Sequence, residues 1–398
     1  MSVNPVHLGV DKKMTTTHIF IVDTNTFKYH LEYLFAGTGA KEDTIDFNNT
    51  PNTQLKHANE NKLVGMIADS QRIRKGDFII FYLQQSYSDG IYEGKFYGIF
   101  KVKEYPSFLD NNDSNQFLKT GLVKSLTFRT LIDPVEIYGK GVTEWEALDE
   151  IKHIQSPNQM LWSMIYRKLK GNRGNTMITI CESERLFKLL RDKNNRQILS
   201  GKKFTFDIQT QEIKLDNSVH DYVGRKEVVN ILPRLIKKYK DKKAFETHLQ
   251  AYTVQTIGRD LNKSLDKCLI NGLNFEWLGN EVSCGVGMQR IDIMLSLIKN
   301  NTKIVLPIEL KAVEASKDNI VQIQRYVDWL EQYYIPNRIS DISPVLISKK
   351  ILNRNTDSYK EIIATFKQFN HKNTRCIPLK YLEYHLAENS LIFEEINY

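Results

Sequence analysis

The chain has 398 residues, 41% hydrophobic and 26% charged, with 20 glycines and 10 prolines, which excludes a disordered, collagen-like or low-complexity chain and leaves room for two or three domains with proper cores. The formal net charge of +8 is unevenly placed, because residues 151–243 hold 21 Lys and Arg against 9 Asp and Glu and the remainder sums to −4. That middle belt suits a surface following a phosphate backbone, or else a pair of solvated lysine-rich helices.

In chain order, residues 18–35 (HIFIVDTNTFKYHLEYLF) predict a short apolar strand leading into a helix with Phe27, Leu31, Tyr33 and Leu34 inward. The Asn- and Thr-rich stretch from Lys41 to Asn61 reads as a loop. RIRKGDFIIFYLQQ (72–85) and GKFYGIFKVKEYPSF (94–108) predict two strands joined by the hairpin connection SYSDGIYEG, and LTFRTLIDPVEIYG (126–139) a third. A helix follows around Thr143 to Ile151, with Thr143 as N-cap and Glu146 at N3. A helix from about Pro157, the stretch RKLKGNRGNTMITI (167–180) and a helix from Glu182 to Lys193 close the first unit.

The polar interval 194–223 reads as a linker or edge hairpin around KFTFDI. Helices are expected at 224–239 and 243–257, then strands FEWL (275–278), RIDIMLSL (290–297) and KIVLPIELKA (303–312), and a helix at 317–334. The strand SPVLIS, a helix around Asp357 to Phe369 and a small terminal unit follow. No apolar run nears the roughly 18 residues that span a bilayer, and MSVNPVHLGVDKKM lacks the apolar core of a signal peptide, so a cytoplasmic protein without a membrane partner is expected. Cys181, Cys268, Cys284 and Cys376 are too far apart for a CxxC pair, which argues against a zinc ribbon or a disulfide framework.

The chemistry concentrates late in the chain. Strand alternation turns Asp292 away from the face carrying Ile291, Ile293 and Leu295; it also sets Glu309 and Lys311 on one face, with Leu306, Ile308 and Leu310 on the other. Two carboxylates and a lysine then converge across a strand pair joined by KNNTK. Carboxylate oxygens suit Mg²⁺, with Mn²⁺ as substitute, and a lysine beside a bound metal and phosphate orients or helps deprotonate the attacking water. Glu246, on a helix burying Phe245, Leu249 and Tyr252, is placed to reach the same site. Downstream, Ile320, Ile323, Val327, Leu330 and Tyr334 form a buried stripe, and Gln322 and Tyr326 stand at i and i+4 on another face. Pro307 lacks a backbone donor and predicts that the Glu309 strand lies at an edge or bulge.

The order Glu246, Asp292, Glu309-Leu310-Lys311 and Gln322-x-x-x-Tyr326 resembles the PD-(D/E)XK nuclease superfamily over about residues 224–350. Its QxxxY feature is similar to the RecB-like branch, and RIDIMLS…VLPIELKA…VQIQRYVDWL to the catalytic domain of NucS/EndoMS nucleases. The resemblance implies a restriction-endonuclease-like α/β core in which Asp292 and Glu309 bind metal, Lys311 positions water, Glu246 assists, and Gln322 and Tyr326 support the lysine and the DNA backbone. The N-terminal unit, through KGDFIIFY and the F-x-G-I-x-x-V strand, resembles the PUA-like superfamily of EVE/YTH type, which implies a β-barrel with helices that holds a flipped base.

Aromatic faces stack on bases, so Tyr82, Tyr87, Tyr92, Trp145 and Trp162 are the base-binding candidates, each with core packing as the plain alternative. Arg167, Lys168, Lys170 and Arg173 are candidates for DNA-backbone contacts. The expected organisation is a two-domain α+β and α/β protein: 1–193 reading, 194–223 linking, 224–398 cutting. The expected function is a Mg²⁺-dependent endonuclease on double-stranded DNA, acting as a homodimer in modification-dependent restriction. A NucS-like nuclease for mismatched or distorted DNA and a non-catalytic RNA or DNA reader are the alternatives.

Overall fold

The structure is a computed structural model that describes residues 15–39, 57–103, 107–162, 174–218, 220–284, 289–300, 302–336 and 340–398. Two sheets organise it. The first contains β1 (Thr17–Val22), β2 (Phe35–Thr38), β3 (Phe78–Leu83), β4 (Lys95–Val102), β5 (Phe108–Leu109), β6 (Phe128–Glu136), β7 (Val142–Thr143) and β8 (Asn175–Ile178), with the path β2-β6-β4-β3-β1-β8 and the short β5 and β7 pairing β6 and β4. Only β1 and β3 run parallel; the other pairs are antiparallel and the sheet curls as a half-barrel. Helix α1 (Thr24–Glu32) starts on a capping box at Asp23, and it buries Phe27 and Leu31 against this sheet.

The expected Thr143–Glu146 capping box opens α4 (Glu144–Asp149), after the single turn α3 (Lys119–Leu122). Helix α5 (Ile180–Lys193) starts on a second box at Thr179. The interval expected to link the domains carries the hairpin β9 (Phe204–Asp207) and β10 (Glu212–Leu215). Its Phe204, Phe206 and Ile213 are buried in the core of the first sheet, with Phe27 4.7 Å from Phe206 between ring centres, so this stretch is part of the first unit.

The second sheet is mixed. Its strands are β11 (Asn274–Ser283), β12 (Arg290–Lys299), β13 (Thr302–Glu314), β14 (Ser340–Ile342), β15 (Val345–Lys349), β16 (Lys380–Ala387) and β17 (Ser390–Glu395), with the path β11-β12-β13-β15-β16-β17 and β14 pairing β13. Helices α6 (Leu232–Lys240), α7 (Glu246–Thr256) and α8 (Lys263–Leu269) precede it. Helices α9 (Asn319–Trp329) and α10 (Asp357–Lys372) cover the opposite face, α9 ending in a π-turn over 330–334. Pro233 near the first residue of α6 explains why that helix begins later than the expected residue 224.

Pro307 does not mark an edge, because β13 is central. Toward one neighbour its parallel pairing with β14 ends at Val305 and that with β15 begins at Ile308, so the proline's missing N–H falls in the gap between two partner strands. The expected alternation of β12 also breaks. Ile293 and Leu295 pack with α7, whereas Ile291 joins Met294 and α9 on the other side, because β12 leaves β13 at Ile293 while staying paired to β11 as far as Arg290.

The two units share one core. Helix α2 (His57–Gln71), whose first residues fall in the expected loop, sends Leu63, Val64, Ile67 and Ala68 into the cluster that also holds Leu249, Val254, Ile293 and Ile308. A buried polar network joins the units beside it. The Arg72 guanidinium donates to Asp69, to Asn175 at 2.6 Å and to Asn280, and the Trp277 indole N–H donates to the Ile178 carbonyl at 2.8 Å. Among the described residues, no helix is long and apolar enough to cross a membrane.

Candidate active site

The site forms where β12 and β13 part. Their ladder runs from Lys299–Thr302 to Ile293–Ile308, and continuing that register places Asp292 opposite Glu309. Backbone pairing stops there, and the Leu310 N–H donates instead to the Asp292 carboxylate at 2.8 Å. Gln250 of α7 donates its side-chain amide to the Asp292 carbonyl at 2.9 Å, which fixes the strand from the helix side. Glu246 is the first residue of α7, half-exposed, with one carboxylate oxygen 3.5 Å from the Ala312 N–H and the other 3.8 Å from the Lys311 ammonium. Glu246, Thr247, Gln250, Asp292 and Leu310, together with Glu281, line an open cleft.

Glu309 is fully buried. One carboxylate oxygen lies 2.6 Å from the Lys311 ammonium, at an angle that makes an ion pair without a hydrogen bond. The other lies 2.6 Å from the Tyr326 hydroxyl, which is also 2.9 Å from the Arg290 carbonyl. The hydroxyl has one proton to share between those acceptors. Tyr326 therefore anchors Glu309, not the lysine that the expected role assigned to it. The Lys311 backbone is held separately, its carbonyl accepting from the Tyr384 hydroxyl of β16 at 3.2 Å. Gln322 is half-buried one turn before Tyr326, and no hydrogen bond from it to Lys311 is present among the described residues.

The electrostatics follow from crowding carboxylates in a half-buried place. Burial first, and the charge of Glu309 next, push the Asp292 carboxyl well above the usual carboxylate range, although the Leu310 N–H favours its ionised form. Burial works to lower the Lys311 pKa, but Glu309, Glu246 and Asp292 outweigh it and hold the ammonium above its ordinary value. Lys311 is thus held in its charged form by the acids around it, which favours the orienting role over the deprotonating one. Burial, helped by Glu309 and Asp292, raises the Tyr326 phenol far above its usual value, so it remains a donor.

Among the described residues, no group of three or more His, Cys, Asp or Glu side chains is gathered closely enough to hold a metal ion as placed. The donor set nevertheless fits a hard divalent cation. Its members are oxygens, and among the described residues the buried Glu309 oxygen beside Lys311 has no hydrogen bond.

The base-binding candidates do not line one pocket. Tyr82 is buried in the first unit and donates its hydroxyl to Glu144 at 2.9 Å. Tyr87 and Tyr92 are exposed together on the loop after β3, with ring centres 6.1 Å apart, and Trp145 is exposed on α4. Trp162 packs edge-on against Trp329 and Tyr333 of the second unit. With Met177, Thr179, Glu182, Trp277, Val282 and Ser283, Trp162 and Trp329 line a narrow cleft between the units with room for little more than one water molecule, and among the described residues the buried Trp329 indole N–H has no acceptor. Arg167, Lys168, Lys170 and Arg173 lie outside the described residues.

Sequence reasoning missed Glu281, Gln250, Trp277 and Trp329. Only the alternation around Glu281 and the i, i+4 relation of Gln250 to Glu246 offered a signal.

No protein-family model matches the chain, and no curated protein matches it. Among solved structures, it is similar to human THYN1 protein in complex with 5-methylcytosine-containing DNA at 10% identity and a TM-score of 0.24, over 44% of this chain and 96% of that one. The DUF55 domain of human thymocyte nuclear protein 1 is similar at 12% identity and a TM-score of 0.23, over 44% and 97%. Restriction endonuclease FokI is similar at 13% identity and a TM-score of 0.20, over 58% of this chain and 41% of that one. All three are distant and partial likenesses.

Proposed function

We propose that the protein is a metal-dependent DNA endonuclease that hydrolyses phosphodiester bonds, with a first unit that holds an extruded, modified base. The observation that carries this reading is the meeting of Asp292, Glu309, Lys311 and Glu246 at a strand junction, with a buried tyrosine fixing the central carboxylate. Asp292 and Glu309 would hold Mg²⁺, which when bound supplies Lewis acidity to the scissile phosphate and an activated water. The chain's own groups act around it. Lys311, kept protonated, stabilises the negative charge that builds on the phosphoryl oxygens and orients the incoming water. Tyr326 keeps Glu309 from turning, and the Asp292–Leu310 contact sets the spacing between the two acids.

The reading role is supported by the cleft between the units. Trp162 and Trp329 border it, and the buried Trp329 N–H has no acceptor among the described residues; the cleft as it stands is too narrow for a base, which would enter only where the two units' tryptophans part. In this reading residues 1–193, with the hairpin to 215, recognise DNA and residues 224–398 cut it.

The test is incubation of the full chain with matched duplexes that carry cytosine, 5-methylcytosine or other modified bases, in Mg²⁺, in Mn²⁺ and in excess EDTA. Divalent-dependent cutting that favours a modified duplex is expected. Cutting undiminished in EDTA overturns the metal assignment, and equal cutting of all matched duplexes with preference for mismatched ones selects the repair reading.

A further inference from the structure

A charged pair outside the catalytic set stands at the mouth of the same cleft. On β11 and β12, Asn280 pairs with Ile293 and Val282 with Ile291, which places Glu281 opposite Asp292. Glu281 has φ +47, the left-handed region, within a strand. A non-glycine residue adopts that conformation at a cost, and such cost is retained where a side chain must be aimed. Here it brings the carboxylate to the cleft wall, beside Glu246 and Asp292.

Glu281 is engaged by Arg290, whose Nη1 donates to its carboxylate at 2.5 Å, with side chains 26% and 40% exposed. Arg290 is held at its backbone: its carbonyl faces the Tyr326 hydroxyl at 2.9 Å, and its strand partner is Ser283. Ser283 lines the tryptophan cleft, so Arg290 stands between that cleft and the catalytic one. An ion pair this open to water is weakly held. A phosphodiester offers the guanidinium fork two charged oxygens in a plane, a better partner than one oxygen of a glutamate that has other neighbours.

We propose that Arg290 grips a phosphodiester of the substrate strand at the cleft mouth, and that Glu281 parks the guanidinium when no DNA is bound. The proposal takes its substrate from the endonuclease reading, but its test does not require cutting. Binding of a fluorescent duplex is measured in EDTA across a salt series for the full chain, Arg290→Gln, Arg290→Lys and Glu281→Gln, with melting curves for each. Arg290→Gln is expected to weaken binding about tenfold and to lower the slope of log K against log salt by about one. Arg290→Lys should keep the slope and recover part of the affinity, since the charge remains and the fork is lost. Glu281→Gln should bind a few-fold more tightly.

Unchanged affinity and slope in a folded Arg290→Gln overturns the proposal. A Glu281→Gln protein that binds as wild type but needs more Mg²⁺ to cut also overturns it, and makes Glu281 a cation ligand. Should the wild type bind DNA with the expected Arg290 dependence yet never cut it, the proposal stands and the endonuclease reading falls.

Discussion

The Asp292 carboxylate accepts the Leu310 N–H at 2.8 Å, taking the place of a backbone acceptor where two strands separate. That amide lies between Glu309 and Lys311 in the chain, so one contact sets the positions of all three site residues. Asp292→Asn retains an oxygen for the amide and removes a charge whose ionised form burial and Glu309 disfavour. The variant should therefore melt at a temperature equal to or above wild type while losing cleavage, in the manner of a site that trades stability for activity. Calorimetry together with a plasmid-nicking assay checks this; a melting point several degrees lower contradicts the charge argument.

Lys311→Ala removes the standing positive charge among Glu246, Asp292 and Glu309. Single-turnover cleavage should fall by about 100-fold or more, as for loss of one charge-stabilising donor. DNA affinity should change little, because one half-buried lysine is a small part of a contact surface. Similar cleavage rates for Lys311→Ala and wild type would show the site to be misplaced.

Tyr326→Phe leaves a fully buried Glu309 oxygen without its donor. The cost should be about 1–3 kcal/mol of stability, the usual desolvation penalty for a buried group left unpaired, with cleavage reduced because Glu309 is free to turn. Denaturant melts and cleavage rates of the same preparation test both effects, and an unchanged melt would mean that the hydroxyl serves the Arg290 carbonyl alone.

Acid should weaken the fold before the ordinary carboxylates, Asp292 excepted, protonate. His30 is buried, and its Nδ1–H donates to the Phe35 carbonyl at 2.8 Å; burial chiefly lowers its pKa from 6.5 to about 4. Burial lowers those of His18 and His248 as well. In each case the unfolded chain binds a proton that the folded protein refuses, so stability is full above about pH 6.5 and declines as pH falls toward the folded values. Thermal melts across that window should slope downward with acid, and His30→Gln should flatten part of the slope. A flat profile between pH 6.5 and about 4 would exclude buried neutral histidines.

Trp162→Ala and Trp145→Ala should separate the two aromatic environments. Trp162 lines the inter-unit cleft and its loss should erode preference for a modified duplex, whereas Trp145 is 62% exposed and its loss should leave the melting temperature unchanged. Competitive cleavage of paired substrates reads the first effect.

Much of the site was legible because its spacing is local. Glu309 and Lys311 share a strand face two residues apart, Gln322 and Tyr326 share a helix, and the Thr143–Glu146 box announces its own helix start. What stayed hidden depends on partners distant in sequence. Glu281 reaches the cleft only through its register with β12, and the burial of Tyr82 follows from a hydroxyl contact to Glu144, 62 residues away. Helix α2 was missed for a related reason. Its apolar face is matched by α7 and β12 of the other unit, so nothing nearby in sequence announces what covers it.

In the proposed endonuclease, the insertion of α2 between the units would make recognition and hydrolysis a matter of fixed distance. Consecutive residues of β11 serve both clefts, Glu281 on one and Val282 and Ser283 on the other, and Leu63, Val64 and Ile67 hold the two bodies together beside the buried Arg72 network. An enzyme with a tethered cutter leaves a spread of ends, since its linker samples many reaches. One built on a single continuous core works as a caliper: each recognised base would give one dominant end position, and lengthening the stretch between β10 and α6 would not move it.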